Sequence, residues 1–226
     1  MKGKLIVIEG TSFSSKEYQT KTLDERLKSL GYKSIIIDFP RYDTPTGRIV
    51  GGPYLGKEEI CKSFFDEGYV NVDPKIASLY YAADRKYNIE SIKKYLDEGY
   101  FVIVDRYTTS SLAYQGSKIV DKDERFNMYQ WIDKLEYWLL ELPKPDITIL
   151  LHMPYEYSKK IEDVQMSFEG LEKDEAYLKH AEMCYLELQQ LYNWKYISCI
   201  EKGNIRSNES INNDILSVVM SINKKS

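Results

Sequence analysis

Leu5-Ile6-Val7-Ile8-Glu9-Gly10-Thr11-Ser12-Phe13-Ser14-Ser15-Lys16-Glu17 is the stretch that decides the architecture of this chain. An apolar run of strand length stops at Glu9-Gly10 and gives way to a loop related to the pattern G-x-x-x-x-G-K-[ST]. In that pattern backbone N–H groups and the lysine hold the β- and γ-phosphates of a nucleotide, while the hydroxyl meets Mg²⁺. Gly10 and Lys16 are in register, but Ser15 stands at the second glycine and Glu17 at the hydroxyl position. The loop predicts a strand–loop–helix phosphate site and raises the question of how well the altered version works.

Composition bounds the answer. A chain of 226 residues with 43% hydrophobic content can bury a large core as one domain with a lid. Its net charge of −4 gives no general attraction to nucleic acid, and no basic patch is visible. Met1-Lys2-Gly3-Lys4 runs straight into the first strand, and the apolar run is too short for a signal peptide or a membrane span. Cys61, Cys184 and Cys199 are widely spaced and form no C-x-x-C pair, which argues against a disulfide framework or zinc site and for a reducing, cytoplasmic setting. His152 and His180 are the only histidines and fall in different predicted elements, which disfavours a histidine metal centre or a Ser-His-Asp triad.

Strand-length apolar runs recur at 4–9, 34–39, 101–105, 147–152 and 196–200, with helical stretches between them. None alternates cleanly, so each reads as buried on both faces, which predicts a five-stranded parallel sheet flanked by helices in an α/β fold. Helices are predicted over 16–29, 89–97, 125–140 and 175–192, with a last amphipathic helix over 208–223. The excursion 44–72 is predicted to carry a helix over 58–66, and the polar stretch 155–174 sits where a lid belongs. No repeat or low-complexity linker interrupts the chain, so residues 1–226 read as a single domain.

Ligands of open α/β sheets bind at the carboxyl ends of the strands. Those ends carry the Gly10–Lys16 loop, then Phe39-Pro40-Arg41-Tyr42, then Asp105-Arg106-Tyr107 followed by Ser110, Ser111, Tyr114, Gln115 and Gly116. The helical stretch ahead of the third strand carries Tyr80-Tyr81-Ala82-Ala83-Asp84-Arg85. Only seven of the thirty-one basic residues are arginine, and Arg41, Arg85 and Arg106 are three of them. A lysine-rich chain that spends its guanidinium forks there points to a monophosphate ligand. The competing reading is that they pair with Asp38, Asp84 and Asp105.

Taken together, I-E-G-T and K-E-Y-Q-T within 8–20, F-P-R-Y-D-T-P-T-G at 39–47, Y-A-A-D-R at 81–85, V-D-R-Y-T-T-S-S-L-A-Y-Q-G at 104–116 and L-P-K-P-D-I-T-I-L-L at 142–151 resemble the thymidylate kinase family. The resemblance implies a three-layer P-loop nucleoside-monophosphate-kinase fold and transfer of the ATP γ-phosphoryl group to dTMP in a Mg²⁺-dependent homodimer. It implies an ATP site over Gly10, Thr11, Ser12, Phe13, Ser14, Ser15, Lys16 and Glu17. It implies a dTMP site of Phe39, Arg41, Tyr81, Arg85, Arg106, Ser110, Tyr114 and Gln115, with Tyr81 stacking on thymine and the three arginines around the phosphate. Lys16, Arg106, Asp105 and Arg41 are then the catalytic residues, with Asp105 and Glu17 beside the metal. The homodimer face is assigned to the aromatic stripe from Tyr129 to Trp138, which core packing explains equally well.

The same comparison exposes departures. The family pattern has an acidic residue at position 12, a small or basic one at 13, glycine at 15 and aspartate at 152, where this chain has Ser12, Phe13, Ser15 and His152. A Cβ at position 15 predicts strain and weaker ATP binding. No arginine lies between Arg125 and Arg206, so the lid cannot supply one, and Lys159, Lys160 and Lys173 are its basic residues. Three readings stay open: an active dTMP kinase with an altered loop, a catalytically impaired nucleotide-binding paralogue, and a kinase for another deoxynucleotide or deoxynucleoside.

Overall fold

The apolar runs do become strands, and their lack of alternation has the predicted cause. In the computed structural model, which describes residues 2–165 and 175–223, β1 (Lys4–Gly10), β2 (Ser34–Asp38), β3 (Phe101–Asp105), β4 (Ile147–His152) and β5 (Lys195–Ser198) form one sheet in the order β2-β3-β1-β4-β5. β1 lies parallel to β3 and to β4, and β4 parallel to β5, with Ile6 opposite Ile103 and Ile147. Ile6, Ile8, Ile103, Ile149 and Leu151 point into one apolar layer with Leu23, Leu27, Ile211, Ile215 and Val219. Leu5, Val7, Val102, Val104 and Leu150, at the alternate positions, are also fully buried. β1, β3 and β4, covered on both sides, are accordingly apolar at most positions, whereas the edge strands β2 and β5 are partly exposed and are not buried on both faces as their sequences suggest.

By internal packing the chain divides into two compact units. The first comprises residues 1–37, 94–105 and 145–226. It contains the sheet, α1 (Lys16–Ser29), α6 (Tyr155–Gln165), α7 (Glu175–Leu191), α8 (Asn208–Asn223) and a short hairpin of β6 (Ile200–Glu201) and β7 (Asn204–Ile205). The second comprises 38–93 and 106–144. It holds α2 (Pro45–Ile49), most of α3 (Pro74–Asp97), α4 (Thr108–Gly116) and α5 (Lys122–Asp133). Among the described residues no helix is long and apolar enough to cross a membrane.

The strand expected over 196–200 is β5 at Lys195–Ser198, with Ile200 in the separate β6–β7 hairpin, and three helices differ from the sequence reading. The helix predicted over 89–97 is the end of α3, a 24-residue helix that starts at Pro74 because the Asp73 carboxylate accepts from the backbone N–H of Lys75 (2.8 Å) and Ile76 (3.1 Å). The helix predicted over 125–140 begins earlier, where Asp121 caps Glu124 N–H at 2.9 Å, and beyond Asp133 it widens into turns closed by Leu140 N–H to Leu135 C=O. The helix predicted over 58–66 does not form. Lys57 C=O accepts from Ile60 and Cys61 for one turn, and the chain then folds back so that Phe65 packs edge-on against Tyr54 and Tyr80. Burying that ring outweighs the modest helical preference of the charged residues before it. Of the stretch read as a lid, 155–165 is helical and 166–174 lies outside the described residues.

Candidate active site

In the first unit, the phosphate loop is bent by its own side chains. A Cβ on Gly10 would stand 2.2 Å from the Ser14 hydroxyl, so the strand end must be glycine. Thr11 fastens the loop to the end of β4: its hydroxyl donates to Met153 C=O (2.7 Å) and accepts from Met153 N–H (2.8 Å), while Thr11 N–H donates to Leu151 C=O (3.2 Å). Phe13 and Ser15 both hold left-handed backbone, at φ 59° and 56°. Ser15 is the residue before α1 and makes no side-chain cap to that helix, so the strain predicted at this position is present without a compensating hydroxyl bond. Gln19 N–H takes the Ser15 carbonyl at 3.0 Å and α1 runs on regularly.

Lys16 reaches across to β3 and forms an ion pair with Asp105, both side chains largely buried. That places the loop's cation beside the carboxylate at the end of β3. Glu17 is different: its side chain is 78% exposed and pairs with Lys21 at 2.7 Å, a bond that holds its carboxyl below the usual range. Mg²⁺ is held in such sites by one or two carboxylates together with substrate phosphates. Asp105, partly buried and already facing a cation, fits that role, whereas the solvent-directed Glu17 does not.

Ahead of the loop, Glu9 is fully buried and accepts a hydrogen bond from the Tyr185 hydroxyl on α7 at 2.9 Å. At the end of β4, where the family pattern has aspartate, His152 Nε2 meets Glu182 Oε1 (2.6 Å) and Nδ1 meets the Tyr196 hydroxyl (2.7 Å). Glu182 also accepts from Tyr155 N–H, the first residue of α6. His152 thus ties β4 to α7. Glu182 and Tyr185 escaped the sequence reading because nothing local marks a polar residue on an amphipathic helix as facing a strand end. On α6, Lys159 pairs with Glu175 at 3.4 Å and Lys160 lies over the Tyr157 ring.

The second unit carries the arginines. Asp84, buried on α3, organises the 41–47 loop: its carboxylate accepts from Arg41 N–H (2.8 Å), the Thr46 hydroxyl (2.8 Å) and the Asn88 amide (2.9 Å). A Cβ on Gly47 would stand 1.8 Å from Arg41 C=O, which explains the glycine of T-P-T-G. The Arg41 guanidinium is thereby left partly exposed, and its hydrogen bonds among the described residues go to Asp43, the shorter at 3.0 Å. Arg106 has left-handed backbone at φ 66°, a conformation costly for an L-residue and found more often at functional positions. Its guanidinium donates to the Tyr114 hydroxyl (3.2 Å) and lies 5.4 Å from that ring. Burial pushes the nearby Tyr42 phenol up to about 12 against the pull of Arg106.

Arg85 does not fit the phosphate role read from the sequence. It is 2% exposed, and its guanidinium grips the equally buried Glu136 through Nε (2.6 Å) and Nη2 (2.5 Å), with Nη2 also on the Ser111 hydroxyl (2.6 Å). A guanidinium inside the protein must be paired, and here the pairing consumes the fork that a phosphate would need. Tyr81 lies 6.0 Å from Arg85 and edge-on to Tyr54, and burial holds its phenol well above the usual value. Ser110 is buried in the first turn of α4, and Phe39 packs against Tyr107. Gln115, also buried on α4, has a carboxamide oxygen with no hydrogen-bond partner among the described residues. A buried acceptor left so is costly unless a ligand donor meets it.

A family model described as thymidylate kinase matches residues 8–210. The chain is 33% identical to a thymidylate kinase of Prochlorococcus marinus, covering 99% of each. It is 28% identical to the thymidylate kinase of Homo sapiens, covering 95% of this chain and 88% of that one. A solved thymidylate kinase structure from Candida albicans shares the fold at a TM-score of 0.70 and 24% identity, covering 97% of this chain and 92% of that one.

Proposed function

The chain belongs to the thymidylate kinase family, and on that premise we propose that it transfers the γ-phosphoryl group of ATP to dTMP, yielding dTDP and ADP. The observation that carries the choice of acceptor is the buried, unpartnered carboxamide oxygen of Gln115, in the same unit as the ring of Tyr81 and the guanidinium groups of Arg41 and Arg106. A pyrimidine that offers a ring N–H satisfies that oxygen, an aromatic ring stacks on the base, and the two arginines neutralise the 5′-phosphate.

Phosphoryl transfer needs little covalent participation from the protein, so positioning and positive charge supply most of the rate. The acceptor phosphate is already an anion and requires no general base. Lys16 and the N–H groups of the loop from Gly10 to Glu17 hold the ATP phosphates, and Arg106 and Arg41 hold the acceptor phosphate and take up charge as it develops. Bound Mg²⁺, held by Asp105, would supply further charge neutralisation on the phosphate oxygens. Phe39 and Ser110 shape the dTMP side, and Tyr114 lines the sugar.

We read the whole chain as one kinase domain with a lid near 155–174, acting as a cytoplasmic homodimer on small nucleotides rather than on nucleic acid. Tyr129 and Ile132 belong to the core, so of the aromatic stripe only the outward residues such as Trp138, 69% exposed, remain available to a second copy. An ADP-coupled assay with dTMP, dUMP, dGMP and thymidine tests the reading, with light scattering for the dimer. Turnover is expected with dTMP and absent with thymidine. Preference for thymidine, or no ADP from any monophosphate with several divalent metals, would reject it.

A further inference from the structure

Glu136 lies outside every motif that led to the site, on the widened helical turns after α5, yet it is fully buried and carries three hydrogen bonds. Its two carboxylate oxygens take Arg85 Nε and Nη2, and Oε2 also accepts from the Thr108 hydroxyl at 2.8 Å. Arg85 extends the network to the Ser111 hydroxyl at 2.6 Å and, more weakly, to Tyr107 C=O at 3.4 Å. Tyr107 is itself completely buried and donates its hydroxyl to Pro143 C=O at 3.0 Å. The network therefore fastens residues 107, 108 and 111, the start of α4, on three sides.

The residue just before this fastened segment is Arg106, whose left-handed backbone is not one an arginine adopts by preference. Such a conformation persists only where the surrounding structure over-determines it. Two other features follow from the same anchoring: Tyr114, which receives the Arg106 guanidinium, and Gln115 both sit on α4, whose first turn the network holds. We propose that Glu136, acting through Arg85 and Thr108, is the positioning residue that fixes Arg106 and the α4 side chains for dTMP. The inference rests on the dTMP kinase reading above and deepens it. It turns Arg85 from a phosphate ligand into a strut and gives Glu136 a role in acceptor binding without contact to the substrate.

The test uses the full chain and four variants, Glu136→Gln, Thr108→Val, Thr108→Ser and Arg85→Lys, with steady-state kinetics in both substrates and calorimetric titration of dTMP. Glu136→Gln is expected to raise the KM for dTMP about tenfold or more, since a small misplacement of a catalytic group is amplified in rate and binding. The KM for ATP stays unchanged. Thr108→Val removes one bond of the network and leaves the Arg85–Glu136 pair, so it shifts the dTMP constant in the same direction by a smaller factor. Thr108→Ser, which keeps the hydroxyl, restores it. Arg85→Lys keeps the charge but loses the fork and follows Glu136→Gln. If Glu136→Gln fails to fold, the Thr108→Val and Thr108→Ser pair decides. Folded variants with unchanged dTMP constants, or with ATP and dTMP constants degraded together, overturn the inference. If the wild type binds dTMP without turnover, dissociation constants decide by the same pattern; a wild type that neither binds nor phosphorylates dTMP removes the premise, and the inference falls with it.

Discussion

Ser15→Gly should make this protein more stable, against the usual effect of placing glycine beside a helix. Ser15 sits at φ 56°, ψ 28°, is exposed, and gives α1 no side-chain cap. Left-handed backbone costs an L-residue roughly 1–2 kcal/mol, which glycine does not incur. Against this, glycine raises the entropy of the unfolded chain by about 0.5–1 kcal/mol, and loss of a serine at a helix start costs a few tenths when replaced by glycine. The balance is a gain of about 0.5 kcal/mol, or about 1–2 °C in Tm for a chain of this size. Ser15→Ala is the control. It keeps the Cβ and deletes a hydroxyl that caps nothing, so it should fall within about 0.5 kcal/mol of the parent. Urea unfolding of the three proteins, with unchanged slopes, measures the difference. A glycine variant no more stable than the alanine variant would refute the claim that the backbone at position 15 is strained. On the proposed ATP site, the same substitution also removes a Cβ from the phosphate loop and should lower the KM for ATP severalfold, with the KM for dTMP unmoved.

The other site residues separate cleanly by what each substitution does to stability. Arg41→Ala breaks a part-exposed pair with Asp43, so the free energy of unfolding should change by less than about 0.5 kcal/mol while the KM for dTMP rises about 10- to 100-fold, the worth of a lost charge-assisted bond. Arg85→Met leaves the Glu136 carboxylate buried without its cation and should destabilise by about 3–5 kcal/mol in urea unfolding; a loss under 1 kcal/mol would mean the pair is not buried as described. Lys118 donates to Tyr69 and Val72 carbonyls (3.2 and 2.9 Å), and burial lowers its ammonium from 10.5 to about 8. Between those values the unfolded chain holds a proton that the folded chain has released, so stability should rise with pH through that window. Comparing the parent with Lys118→Met from pH 7 to 9.5, the parent should gain about 1–2 kcal/mol more, after allowing for the partial exposure of the head group. Parallel stability curves would contradict it.

What could be read in advance follows from how local the cause is. The three inner strands β1, β3 and β4 were legible because burial on both faces of a sheet leaves a nearly continuous apolar run, while β2 and β5 at the edges, read the same way, are only partly buried. α1 and α8 were legible for a similar reason, since each turns one apolar face to the sheet. The helix expected over 58–66 failed because what shapes that stretch is distant: Ser63 donates to Pro53 and Tyr54 carbonyls, and Phe65 joins a cluster with rings from 54 and 80. The early start of α3 turned on one carboxylate, Asp73, in front of Pro74. Of the site, the Gly10–Lys16 loop and the strain at Ser15 were visible from spacing alone, because a phosphate loop is a local backbone device.

The arginines show where spacing stops being informative. Their scarcity and placement suggested a shared phosphate task, with pairing to Asp38, Asp84 and Asp105 as the alternative, and neither account describes all three. Asp105 takes Lys16, and Asp84 takes the Arg41 backbone N–H while the Arg41 side chain turns to Asp43. Arg85 finds Glu136, 51 residues away in sequence and in no recognised motif. The physical distinction is burial. A guanidinium is never neutral in a protein, so one that folding carries into the interior needs a carboxylate with two free oxygens, and the bidentate fork makes arginine rather than lysine the residue that can use it. One that stays at the surface keeps its edge for a ligand. Sequence position identified arginines that share motifs, but only the depth of each in the fold separates Arg85, gripped by an interior carboxylate, from Arg41 and Arg106, which remain partly exposed.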